Sequence, residues 1–164
     1  MVKKDIRITV EEYDSKNDLS SADHKLMELA EASMKNAYAA YSHYRVGAAL
    51  RLSNGMVFTG NNQENAAYPS GLCAERVAMF YAKSQFPDES IESVAICAKA
   101  DEFIIQEAVA PCGACRQVMA EYQNQQGNPM RVIMKGEAGP ILAVESIEAL
   151  LPLMFHAEEL KRKD

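Results

Sequence analysis

No apolar run in this chain approaches the ~20 residues needed to cross a bilayer, so no membrane-spanning helix is predicted. The opening residues, MVKKDIRITVEEYD, start basic but have neither the apolar core nor the small-residue cleavage site of a signal peptide. A cytoplasmic address is the resulting expectation. Basic excess is missing too: 17 Lys and Arg stand against 23 Asp and Glu, a net charge of −6. Proteins that track nucleic-acid phosphates present a basic stripe, and the only basic cluster here is LKRKD at the end of the sequence, read as solvated. The expected partner is therefore small and not strongly anionic, neither a nucleic-acid polymer nor a membrane. Repeats, low-complexity runs and linkers are absent.

What is present suits a single globular domain. The 164 residues are 48% hydrophobic and 24% charged, close to the soluble average and long enough to bury a core. Ile6, Ile8 and Val10 alternate in DIRITV, which predicts a short strand. DLSSADHKLMELAEASMKNAYAAYS carries helical spacing, with Ser20 and Asp23 resembling a capping pair and an end near Tyr41. RVGAALRLSNGMVFTG reads as a hairpin turning at Ser53-Asn54-Gly55. Helix over CAERVAMFYAKSQ, strand over ESVAICAKA, helix over PCGACRQVMAEYQNQ and strand over GNPMRVIMKG follow, with Pro111 suited to a helix start. SIEALLPLMFHAEELKR is read as helical in pieces, broken at Pro152. This order predicts a three-layer α/β/α sandwich on a mixed sheet of about five strands, to which the N-terminal strand can add. Residues 1–20 are read as an extension and 21–164 as one domain.

The four cysteines carry the chemistry. In a reducing compartment, metal binding or catalysis outranks disulfides as their explanation. Cys112 and Cys115 stand one helical turn apart, so their sulfurs can converge on one atom, and Cys73 can join if two helix starts meet. Zinc takes such ligands tetrahedrally, and a catalytic site leaves the fourth position to water. Both helix starts carry partial positive charge, which favours thiolate. Glu75 follows Cys73 by two residues, a rotation of about 200° within a regular helix. The two side chains share a target only if Cys73 is the non-helical capping residue and Glu75 lies in the first turn. Three thiolates leave the metal with a net negative charge, and Arg76 is the expected counter-charge, hydrogen-bonding a sulfur. Cys97, inside the apolar VAICA, reads as a buried thiol. His24, His43 and His156 read as surface or capping residues. A redox Cys-x-x-Cys would leave Cys-Ala-Glu unexplained, whereas a structural zinc with Cys97 as fourth ligand remains open.

CAE followed by PCGAC resembles the three-cysteine signature of zinc-dependent nucleoside and base deaminases. YSHYRVGAAL, NNQENAAYPSGLCAER, APCGACRQVM and ALLPLMF narrow this to a resemblance to the cytidine deaminase family, of the short, homotetrameric kind, running from about residue 22 to 160. The resemblance implies Zn2+ on Cys73, Cys112 and Cys115, with Glu75 carrying protons and Arg76 bonded to thiolate. It implies Asn62 and Glu64 on the ribose hydroxyls, Tyr44 beside base or sugar where phenylalanine is usual, and backbone groups of Ala74 and Ala110 on the pyrimidine edge. Phe155, and Tyr68 with it, would reach a neighbouring subunit's site, so that active sites are shared in a homotetramer. The implied reaction is hydrolysis of cytidine, and of deoxycytidine, to the uracil nucleoside and ammonia, with no organic cofactor. Blasticidin or a modified pyrimidine would use the same chemistry. Asn61 and Gln63 depart from the family's more apolar or small residues at those positions.

Overall fold

The computed structural model describes residues 1–156. Its strands are β1 (Glu11–Tyr13), β2 (Tyr44–Leu52), β3 (Val57–Asn61), β4 (Ile91–Ala100), β5 (Arg131–Lys135) and β6 (Ile141–Val144). Its helices are α1 (Ser21–Ser33), α2 (Ala74–Gln85) and α3 (Gly113–Gln126). All six strands form one sheet in the order β1-β6-β5-β4-β2-β3. Only β4 and β5 run parallel, with α3 on the crossover between them; the other neighbours are antiparallel.

Strand side chains alternate between the sheet's two faces, and here both faces are covered. Leu50, Val94, Ile96, Val132 and Val144 pack with Ala78 and Met79 of α2 and Met119 of α3. Their neighbours Ala49, Ala95, Cys97, Ile133 and Ala143 pack with Leu26, Met27 and Ala30 of α1. The result is the three-layer α/β/α sandwich on a mixed sheet. The β2–β3 hairpin turns where the sequence marks it, with Gly55 in the left-handed region at φ 81°.

Gly60 sets the height of α2 above the sheet. A Cβ there would lie 2.4 Å from the Ala74 carbonyl oxygen and 2.6 Å from the Ala78 amide nitrogen, both backbone atoms of α2. Hydrogen in place of a methyl lets the first turn of α2 settle directly on β3. Gly60→Ala is expected to cost about 1–3 kcal/mol of stability through overpacking and to displace the turn that carries Glu75. Urea denaturation checks the first effect, and metal content and turnover check the second. An unchanged midpoint would contradict it.

Four expectations need correction. The strand lies at Glu11–Tyr13 and not along Ile6–Val10, because Glu11 already pairs with Ala143 and β6 ends one residue later at Val144. Ile6 and Ile8 therefore have no ladder to join. The first helix ends at Ser33, followed by one 3-10 turn at Met34–Asn36, since Tyr38 leaves the helix to pair with the chain after β3: its N–H donates to the Asn62 carbonyl over 3.0 Å. Its cap is the expected one, with the Ser20 hydroxyl accepting from the Asp23 N–H over 3.1 Å, while the Asp23 carboxylate pairs with Arg131 at 3.1 Å. The sheet gains β6, a strand of four residues too short to show periodicity. The final segment holds a single 3-10 turn, Ile147–Ala149, up to His156; the remainder of that expected helix, and the basic tail, lie outside the described residues.

Arg131 ties the extension to the body. It pairs with Glu11 at 2.7 Å, Asp23 at 3.1 Å and Glu145, and donates to the Tyr13 hydroxyl over 3.0 Å. One guanidinium thus joins β1, α1, β5 and the end of β6.

Candidate active site

The strand register brings three chain segments to one end of the sheet. Gly47, near the start of β2, pairs with Asn61 at the end of β3 and with Cys97 near the end of β4. The segment entering β2, the loop leaving β3 and the loop leaving β4 therefore meet, in the position where ligands bind at the carboxyl ends of strands in open α/β sheets. A cleft of about 740 Å³ opens there, within the size range of small-molecule sites.

Two helix starts form its floor. Cys73 and Cys112 are the capping residues of α2 and α3, both with extended backbone (φ −72°, ψ 153° and φ −65°, ψ 165°). Cys115 follows in the first turn of α3 and is fully buried. The Cys73 and Cys112 sulfurs are 3.8 Å apart, those of Cys112 and Cys115 are 3.6 Å apart, and all three lie within 4.8 Å of one another. Tetrahedral zinc with bonds of about 2.3 Å requires sulfur–sulfur separations of roughly 3.8 Å, so the cluster fits that ion. No histidine or carboxylate joins it among the described residues. Cys97 belongs to the core on the α1 side, across the sheet from α2 and α3. A fourth cysteine ligand is thereby ruled out, and Cys73 and Cys112 line the cleft.

The electrostatics follow from this packing. The Cys73 thiol is lowered to about 5, first by a hydrogen bond from Cys115 and further by Arg76, against the opposing effect of burial. Cys115, as the partner in that bond, is pushed up. Arg76 Nη2 lies 3.7 Å from Cys73 Sγ, and its guanidinium is raised by that contact. Glu75 is 4% exposed. Burial raises its pKa and the charge of Cys73 pushes the same way, while a hydrogen bond from Cys115 opposes them. The capping geometry of Cys73 is what lets Glu75 reach the cluster from only two residues away.

At the other end of the cleft, Asn62 uses its side chain to continue the β2–β3 ladder. Its Oδ1 accepts from the Val46 N–H over 2.8 Å and its Nδ2 donates to the Tyr44 carbonyl over 2.8 Å, which leaves one amide N–H free. Glu64 Oε2 accepts from the Tyr41 N–H over 2.8 Å, and Oε1 accepts from the Ser42 hydroxyl. Tyr44, Asn62, Glu64, Tyr68, Cys73, Glu75, Arg76, Ala110 and Cys112 all line the one cleft. Ala74, the first residue of α2, is fully buried and its side chain does not line the cleft. Tyr68 stands 77% exposed at the rim, edge-on to Tyr41 with ring centroids 6.1 Å apart. Phe155 does not line this cleft; it is 62% exposed, and its carbonyl accepts from Gln117 over 3.1 Å. The sequence reading missed Tyr41 and Ser42, and the apolar wall of Val46, Leu72, Ile96 and Val109. The wall residues carry no signal that separates them from core, whereas Tyr41 and Ser42 sit inside the motif YSHYRVGAAL.

Fold and site together define a mixed α/β protein with a three-thiolate metal site and a buried carboxylate beside it. Residues 20–127 match the cytidine and deoxycytidylate deaminase zinc-binding region, and the chain belongs to that family. It is 39% identical over 135 residues to a cytidine deaminase of Halalkalibacterium halodurans, covering 82% of this chain and 95% of the relative. A probable cytidine deaminase of Dictyostelium discoideum is 36% identical over 140 residues, covering 85% and 87%. Among solved structures, cytidine deaminase from Burkholderia pseudomallei superposes with a TM-score of 0.70 at 39% identity, covering 80% of this chain and 98% of that one. The Mycobacterium tuberculosis enzyme gives 0.61 at 28% identity, covering 80% and 95%. Among the described residues no helix is long and apolar enough to cross a membrane.

Proposed function

We propose that this chain hydrolytically deaminates cytidine, and deoxycytidine, to the uracil nucleoside and ammonia. The observation that carries the reading is one cleft holding a three-thiolate cluster, a buried carboxylate two residues from one of its cysteines, and the Asn62–Glu64 pair at the far end. Cys73, Cys112 and Cys115 would hold a zinc ion, whose Lewis acidity would make water a nucleophile near neutral pH. Glu75 takes a proton from the attacking water and passes it to N3 as the oxygen bonds to C4. Glu75 then takes the remaining proton from the new C4 hydroxyl and delivers it to the C4 amine as the carbon–nitrogen bond breaks and the C4 carbonyl forms. One water proton remains on N3 and the other departs in ammonia. Burial of Glu75 favours its protonated form, which suits a group that holds a proton between two transfers. Arg76 offsets the charge of the thiolates.

Recognition divides by chemistry. The free Asn62 N–H and the Glu64 carboxylate suit ribose hydroxyls, which both donate and accept. Tyr44 flanks the base or sugar, and backbone groups of Ala74 and Ala110 read the pyrimidine edge. A free nucleoside is favoured over a polynucleotide by the acidic balance of the chain. Phe155, exposed and outside its own cleft, would complete a neighbouring site in a homotetramer, and Tyr68, exposed at the rim of its own cleft, would reach the adjoining one. Residues 1–20 then form an extension to a single deaminase domain.

The test is the fall in ultraviolet absorbance when zinc-loaded protein meets cytidine, with light scattering on the same sample. Turnover by a multimer is expected, and a fully active monomer would refute shared sites. Absence of turnover with cytidine, accompanied by activity on blasticidin or a modified pyrimidine, would move the substrate within the family.

A further inference from the structure

The Glu64 carboxylate, which lines the cleft, accepts three hydrogen bonds. Three donors from one loop converge on it. The Ser42 hydroxyl donates to Oε1, while the N–H groups of Tyr41 and Ser42 donate to Oε2 over 2.8 and 3.3 Å. The same hydroxyl accepts from the Tyr44 N–H over 3.1 Å, which fixes its own orientation. An ionised carboxylate offers about four acceptor sites, so the loop uses three and leaves roughly one for a ligand. Ser42 and Glu64 both line the cleft.

The loop reaches this geometry through His43, the one non-glycine residue with a positive φ, at 55°, among the described residues. A left-handed residue is uncommon outside glycine and persists where its surroundings hold it. Here the His43 N–H donates to the Ala39 carbonyl over 3.1 Å, and the His43 carbonyl accepts from the Asp101 N–H over 3.0 Å. The chain therefore reverses between Ser42 and β2, with the Ser42 hydroxyl turned toward a residue 22 positions away.

We infer that Ser42 is a positioning residue: its hydroxyl holds the Glu64 carboxylate in one orientation, so that its remaining lone pair accepts a hydrogen bond from a 2′- or 3′-hydroxyl at the sugar end of the substrate. This rests on the deaminase reading for the identity of the ligand, though not for the Ser42–Glu64 contact. The hydrogen bond from Ser42 is also the leading reason that the Glu64 carboxyl lies below its ordinary value.

The experiment compares wild type, Ser42→Ala and Ser42→Thr as zinc-loaded enzymes on cytidine and on 2′,3′-dideoxycytidine, which keeps the 5′-hydroxyl but lacks the 2′- and 3′-hydroxyls. Ser42→Ala is expected to raise KM for cytidine about ten-fold, the scale of one hydrogen bond to a charged group, with a smaller effect on kcat. The difference should disappear with dideoxycytidine, and Ser42→Thr, which keeps the hydroxyl, should recover most of the loss. An equal rise in KM for both nucleosides, or a threonine variant as impaired as the alanine one, would overturn the role. A carbon-13 titration of the Glu64 carboxyl, which needs no substrate, separates the two ideas. If the wild type turns over no nucleoside, the deaminase reading fails, and the positioning role stands or falls on this titration. Its midpoint rises in Ser42→Ala if Ser42 holds Glu64, and an unmoved midpoint overturns the inference.

Discussion

Replacing Glu75 with glutamine is expected to lower kcat for cytidine by about 10²–10⁴-fold, the usual contribution of a general acid–base group, and by more if one residue serves every proton transfer. Glutamine keeps the length and shape of the side chain, so the first turn of α2 and the three sulfurs are left in place. Zinc content should therefore match the wild type. What glutamine cannot do is accept a proton from water and return it to the amine. Stability should not suffer, because the side chain is only 4% exposed and a neutral amide is less costly to bury than a carboxylate. Metal analysis, thermal melting and turnover on one preparation separate these effects. Wild-type turnover by a zinc-loaded Glu75→Gln variant would remove Glu75 from its role.

Cys112→Ala is expected to act through the metal. It takes away the sulfur that lies 3.8 Å from Cys73 and 3.6 Å from Cys115, leaving two thiolates where the fit requires three. Because a metal that binds only the folded state adds its binding energy to folding, losing it should lower the melting temperature as well as abolish turnover. The size of the effect has an internal check. Chelator should destabilise the wild type strongly and the variant hardly at all, bringing the two melting curves together. A Cys112→Ala protein that retains a full zinc complement and responds to chelator like the wild type would contradict the assignment.

These two residues were legible in the sequence because their chemistry is rare and their spacing has geometric consequences. Cys-x-Glu is intelligible only if the cysteine caps a helix, and Cys73 has the extended backbone that this requires. Cys-x-x-Cys at a second helix start brings two sulfurs together whatever the surrounding fold. The order of helices and strands likewise made a sheet covered by helices readable, and Leu50, Val94 and Val132 on one face and Ala49, Ala95 and Ile133 on the other are packed accordingly. Other features had no such local signature. Val46 and Leu72 wall the cleft with side chains that would serve equally in a core. The contact between Ser42 and Glu64 depends on a single left-handed residue and a carbonyl held by Asp101, neither of which a spacing rule captures. The alternation Ile6, Ile8, Val10 predicted a strand that lacks a partner, since pairing depends on how far β6 extends. Helical spacing past Ser33 failed for a similar reason: Tyr38 gains a hydrogen bond to the chain beyond β3, and that tertiary contact outweighs local propensity.

The central claim is hydrolysis at C4, and it is tested most directly by incubating the zinc-loaded protein with cytidine in water enriched in oxygen-18. The account predicts uridine carrying one heavy oxygen in its base, at C4, formed together with an equal amount of ammonia. Recovery of unchanged cytidine from folded protein with a full zinc complement, or of uridine without the heavy oxygen, would contradict it.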